Sequence, residues 1–265
     1  MKKRWKLHLS LLWEESLQLI PEMARGFRCF KYREERLVNK IRSSNKKVWD
    51  IFIRIFHWSL LFFVVSNFYT GKWGDGSSSM EWHSRFGISV LGLIVFRFLW
   101  GVWGSPTAKF THFIPSPKTL LLYRRTFFKR EPSYWYGHTP PAALGALSLL
   151  LCILLQAVTG LFATDEIITE GPLCKMVDDQ TCLLMSEIHF INSKFMLVLI
   201  GLHFGAVIYY LLYKKENLIK AMISGRKDQV LMDENELLKE NQKVFGKGIA
   251  TAALSVLIVW FILSQ

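Results

Sequence analysis

Five long apolar stretches constrain this chain more than anything else in it. Residues 49–70, 84–103, 142–163, 189–213 and 248–263 are rich in Leu, Ile, Val and Phe and carry few charges. About twenty helical residues at 1.5 Å each match the roughly 30 Å hydrocarbon core of a bilayer. Within lipid, every backbone donor and acceptor must be satisfied inside the segment, and a single apolar stretch achieves that as a helix. Trp49, Tyr69, Trp73, Trp82, Trp100, Trp103, Tyr209, Tyr210 and Tyr213 gather at the edges of these stretches, where amphipathic rings settle at the headgroup level. The last stretch is shorter and richer in Ala and Thr. The sequence therefore predicts an all-α membrane protein: a four-helix transmembrane bundle with a fifth, C-terminal span.

Charge orders these spans. The net charge is +12, which in a soluble chain would suggest nucleic acid. Its placement says otherwise. Residues 1–47, 104–137 and 214–247 together hold 27 Lys and Arg, against 2 in the other connections, 71–82 and 164–188. Such asymmetry is the positive-inside pattern, and it predicts a cytoplasmic N-terminus. The basic surplus then meets anionic lipid, not nucleic acid. The 164–188 loop, with Asp165, Glu166, Glu170, Asp178, Asp179 and Glu187, is expected outside.

The N-terminal 47 residues open on MKKRWKLHLSLLW, but Glu14, Glu15 and Pro21 interrupt any signal-peptide core. Trp5, Leu9, Leu12 and Trp13 suit an amphipathic extension lying on the cytoplasmic membrane surface; a basic tail is the plainer alternative. Cys29 and Cys152 read as free thiols. Cys174 and Cys182 share the outer loop, where an oxidising compartment permits a bridge without the spacing deciding it. Residues 104–137 read as a loop with short helices, and 214–247 as a solvated helical connection broken near Gly225. No internal repeat stands out.

Histidines supply the chemistry. His189 and His203 lie fourteen residues apart, close to four helical turns, so both project from one face about 21 Å apart. His57 lies in the first span at nearly the depth of His203, and His83 opens the second span at the level of His189. A single histidine in a membrane span reads most simply as a polar group bonded to a neighbouring helix. Four at two matched depths read as two ligand pairs, because ionisable groups in lipid are expensive and usually functional. Two bis-histidine haems, held by His57 with His203 and by His83 with His189, account for all four.

Arg97 follows His83 by the same fourteen residues, which places it inside the bundle near the cytoplasmic pair. Arg54 lies one turn from His57. Both suit haem propionates or a bound quinone head group, with snorkelling to the interface as the alternative. Arg85 and Lys194 are weaker candidates for the same role at the outer pair, and Gly87 leaves room for a porphyrin. His138, in YGHTPP, is too shallow to complete either pair and reads as a turn or cap residue, or as a proton donor to a quinone. His8 and His112 have no assigned role. HExxH, iron-box and nucleotide-binding glycine patterns are absent from the sequence, which excludes metalloprotease, desaturase and ATPase readings.

These residues sit in recognisable surroundings. RIFHW (54–58), WHSRFG (82–87), FRFLWGVWGSPTAKF (96–110) and YGHTPPAALGALSLLLCILLQAVTGLF (136–162), with His189 and His203, resemble the bacterial cytochrome b561 and nickel-hydrogenase b-type cytochrome family over roughly residues 47–225. The resemblance implies a four-helix bundle with two haem b groups that exchanges electrons between a quinone and an outer redox partner. It divides the chain into a basic extension (1–47), a di-haem domain (48–225), a cytoplasmic connection (226–247) and a C-terminal helix (248–265). The acidic outer loop suits a lysine-rich c-type cytochrome. The same family plan admits a superoxide:quinone oxidoreductase, or the membrane anchor of a hydrogenase or formate-dehydrogenase-like complex. Outside redox chemistry, a transporter or scaffold with incidental histidines would bind no haem.

Overall fold

The computed structural model describes residues 46–264, apart from 75, 131–134, 136, 168 and 228–243. The predicted N-terminal amphipathic extension lies outside the described residues. Five helices are long and apolar enough to cross a membrane: α1 (Ile51–Trp73), α2 (Gly76–Trp103), α5 (Pro140–Gly160), α6 (Asp179–Leu212) and α8 (Val244–Leu263). Between them lie α3 (Phe110–Phe113), α4 (Pro117–Phe127) and α7 (Leu218–Ser224). The fold class predicted from the sequence stands. Among the described residues its only named strands are a two-residue ladder, β1 (Lys46–Lys47) against β2 (Arg226–Lys227).

Helix α1 packs on α2, α2 on α5, and α5 on α6, while α8 lies against α2 outside that set. Trp103 anchors α8 by donating its indole N–H to Thr251 Oγ1 at 2.8 Å. No comparable seam joins α1 to α6 among the described residues. The core between the helices is built from Ile94 and Trp100, both fully enclosed, with Ile53, Phe56, Val90 and Ile153 around them.

Two helices outrun their apolar stretches. Helix α2 begins eight residues before 84, and α6 begins ten residues before 189. The added turns, GSSSMEWH and DQTCLLMSEI, are helical but polar, so hydropathy marked only the part that lipid can hold. Asp178 starts α6 by accepting the Thr181 N–H at 2.8 Å, an N-cap that satisfies one orphan donor of the first turn. Its carboxyl is held below the usual range by the Thr181 N–H and hydroxyl. Cys174, in a short 3₁₀ turn, is disulfide-bonded to Cys182 on α6, which settles the pairing that spacing left open.

At the opposite end the chain after α6 folds back on the bundle. Lys214, Glu216 and Lys227 are buried while Lys215, Lys220 and Arg226 are exposed, so 214–227 is only in part the solvated connection expected from its charge. Lys227 pairs with Glu216 at 2.6 Å and donates to the Trp135 carbonyl at 3.0 Å. Gly225 ends α7 with φ 74°. Its carbonyl accepts from Val48 N–H and Trp49 N–H, which fastens this corner to the start of α1. The break predicted near Gly225 is confirmed. The bundle thus has a disulfide end and a basic end.

Candidate functional site

At the disulfide end, His83 of α2 faces His189 of α6, with ring centroids 6.2 Å apart and planes at 76°. Both rings are held alike. His83 Nδ1 lies 3.0 Å from the Asn67 carbonyl and 3.3 Å from Thr70 Oγ1. His189 Nδ1 lies 3.0 Å from the Gln156 carbonyl and 3.2 Å from Thr159 Oγ1. The backbone oxygen cannot donate, so each Nδ1 carries the proton and each Nε2 keeps its lone pair.

The two supports are one local structure used twice. Asn67-Phe-Tyr-Thr70-Gly71 closes α1, and Gln156-Ala-Val-Thr159-Gly160 closes α5. In each, the threonine hydroxyl donates back to carbonyls three and four residues earlier. The glycine leaves the carbonyl one turn before it open to a side-on donor, and the imidazole lies in the space where a Cβ would stand. A Cβ on Gly71 would be 2.9 Å from His83 Cε1, and one on Gly160 would be 3.0 Å from His189 Cε1. Sequence reading found the histidines and missed these notches; the repeated amide-x-x-Thr-Gly was the available signal.

At the basic end, His57 of α1 and His203 of α6 lie close enough to interact electrostatically. His57 Nδ1 is buried with no hydrogen-bond partner, and its ring meets Trp58 edge-on at 5.3 Å. A buried ring nitrogen without a partner is costly, in contrast to the bonded nitrogens of the other pair. Helix α6 thus spaces the pairs fourteen residues apart, as read from the sequence. Among the described residues no three His, Cys, Asp or Glu side chains come together, so the histidines are arranged as pairs.

A polar cluster lies beside the basic-end pair. Arg97 is buried and donates to the Ala108 carbonyl at 3.1 Å, with its guanidinium 4.9 Å from the Phe110 ring centre. His138 packs on Trp49 at 4.6 Å. It lies half-buried in a bend ahead of α5, the turn position expected from the sequence. Burial, with the nearby Arg97, Lys227, His203 and His57, pushes His138 down to about 3. Tyr210 OH links Tyr123 OH at 2.9 Å and Thr139 Oγ1 at 2.7 Å, and burial pushes the Tyr123 phenol up. Arg54 donates to the Ile223 carbonyl at 2.6 Å. Arg85 instead pairs with Glu81 and lies over Trp82 on the exposed face, and Lys194 sits over Phe190 at 4.0 Å.

These residues fit haem. An iron between two ring nitrogens, each bonded at about 2 Å, places the ring centres about 6 Å apart, the separation found at the disulfide end. Both Nδ1 atoms there are occupied by acceptors, which directs Nε2 to a metal.

Apolar spans with opposed histidine pairs define a helical membrane protein of the haem-binding class. The family model for prokaryotic cytochrome b561 matches residues 48–225, about two-thirds of the chain, and the chain belongs to that family. It is a multi-pass bacterial membrane protein, a b-type cytochrome of electron transfer. Comparison with curated proteins and with solved structures finds no match.

Proposed function

We propose that this cytochrome holds two haem b groups, one between His57 and His203 and one between His83 and His189, and carries electrons across the membrane between quinone and an extracytoplasmic partner. The observation that carries this reading is the double pair: α6 offers one histidine to α1 and another to α2, fourteen residues apart. Haem held between two histidines would supply a one-electron iron couple that changes oxidation state with little reorganisation.

The chain's own residues do the rest. The Thr-Gly notches orient His83 and His189. Arg97 and Arg54, at the basic end, suit a propionate or the polar head of a quinone, and the enclosed His138 beside them suits an exchangeable proton at that head group. Arg85, on the exposed face beside Glu81, is the corresponding, weaker candidate for a propionate at the outer pair. The 27-to-2 distribution of basic residues supports a cytoplasmic basic end. At the other end Asp165, Glu166, Glu170, Asp178, Asp179 and Glu187 are exposed, which favours a lysine-rich c-type cytochrome as partner.

A reduced-minus-oxidised spectrum with pyridine haemochrome quantification tests the reading. The expected result is a b-type α band and two haems per chain, with one lost in His83→Ala and the other in His57→Ala. A folded chain without haem would overturn the reading in favour of a transporter or scaffold. A single haem would remove one of the two pairs.

A further inference from the structure

We propose that the two Thr-Gly notches make the haem at the disulfide end the lower in potential of the two, so that electron transfer from it to the haem at the basic end is downhill. The inference rests on the reading that each histidine pair holds a haem, and it concerns what α1 and α5 do to those ligands. An imidazole that donates its Nδ1–H to a carbonyl becomes a stronger electron donor through Nε2. A stronger donor favours ferric over ferrous iron and lowers the potential. At the disulfide end both ligands are so placed, each 3.0 Å from a main-chain carbonyl, with a threonine hydroxyl as second acceptor.

The basic end is built the other way. His57 Nδ1 is buried without an acceptor, so that ring gains no such donor strength. Arg97 reaches into the same pocket, where its charge acts on His138 and Asp50 offsets it only in part, while Lys227 is paired with Glu216. Positive charge beside a redox centre favours the state holding the extra electron. Both effects raise the potential at the basic end, while the notches lower it at the disulfide end. With haem held by both pairs, an electron would pass downhill from the group held by His83 and His189 to the group held by His57 and His203. No proton needs to move between the sites. A one-electron donor at the disulfide end and a quinone at the basic end complete the circuit.

The notches also explain the glycines in the last turn of α1, at position 71, and at the end of α5, at position 160. With alanine at 71 or 160 the new Cβ would stand 2.9 or 3.0 Å from the imidazole Cε1, and the ring would have to shift by a few tenths of an ångström, which loosens its bond to the carbonyl. These glycines and threonines are positioning residues, and the readout that separates them from mere packing is a potential.

The test is a potentiometric titration of the full-length cytochrome in lipid nanodiscs, followed at the α band. Wild type is expected to titrate in two waves. His83→Ala removes the lower wave and His57→Ala the upper; His189→Ala and His203→Ala serve where either variant fails to accumulate. Gly71→Ala and Gly160→Ala shift the lower wave upward and leave the upper wave in place. Gly145→Ala, whose Cβ would meet nothing within 4 Å, moves neither. Coincident waves, or loss of the upper wave in His83→Ala, overturn the proposal, as does an unmoved lower wave in a glycine variant that keeps its haem. If the glycine variants shed haem, the order of the waves in the histidine variants decides. Failure of the underlying reading looks different: fewer than two haems in wild type, before any potential is measured.

Discussion

Asp50 does more than its place at the head of α1 suggests. Its Oδ1 accepts the Ile53 N–H at 2.9 Å as the N-cap, while Oδ2 accepts from Trp100 Nε1 at 3.1 Å and from Ser105 Oγ. One buried carboxylate thus joins α1, α2 and the loop that follows α2. Asp50→Ala would remove a cap and strand two buried donors, a loss of roughly 2–4 kcal/mol, read as a lower unfolding midpoint in detergent; Asp50→Asn should lose less. His138 gives a pH prediction. Folded, it stays neutral down to about 3; unfolded, it takes a proton near its ordinary value of 6.5. The unfolded state therefore binds the extra proton in that interval, and stability falls as pH drops from 6.5 toward 3. His138→Gln should flatten that part of the profile in thermal unfolding between pH 7 and pH 4. At this scale the histidines were legible, because an ionisable group stands out in an apolar run. Thr70, Gly71, Thr159 and Gly160 were not, because such residues are ordinary in membrane helices and gain meaning only when a ring arrives from the next helix.

At the scale of the element, α2 and α6 are the informative departures. Their polar first turns lift His83 and His189 from the span edge into the body of a helix, where the neighbouring notches can reach them. The corner after α6 departs as well. Its charges read as solvated, yet Glu216 and Lys227 are 8% and 4% exposed and paired with each other. A buried pair is costly to break and often cheap to replace whole. Lys227→Met alone should therefore destabilise the corner by about 3–5 kcal/mol, and the double variant with Glu216→Met should recover most of it. Parallel thermal melts of the two proteins check this, and equal losses would refute the pairing argument. Gly225 has less freedom: at φ 74° a Cβ would also meet the Trp49 carbonyl at 2.7 Å.

For the whole molecule, the orientation proposed from the basic residues makes its own prediction. The Cys174–Cys182 disulfide should lie on the outer face. In right-side-out cells or vesicles, an impermeant maleimide should label these two thiols only after an impermeant reductant is added. Labelling that requires opened membranes would invert the orientation. The amino-acid order alone determined the number of spans, the depths of the four histidines and the sign of charge at each end, since hydropathy, a fourteen-residue helical spacing and loop charge are properties of the chain read in one dimension. Only the tertiary structure decided which carbonyl meets which ring nitrogen, that Glu216 and Lys227 return to the bundle, and that His138 lies beside the basic-end pair. Those depend on how α1 meets α2 and α5 meets α6, and a contact between two helices is encoded in neither helix by itself.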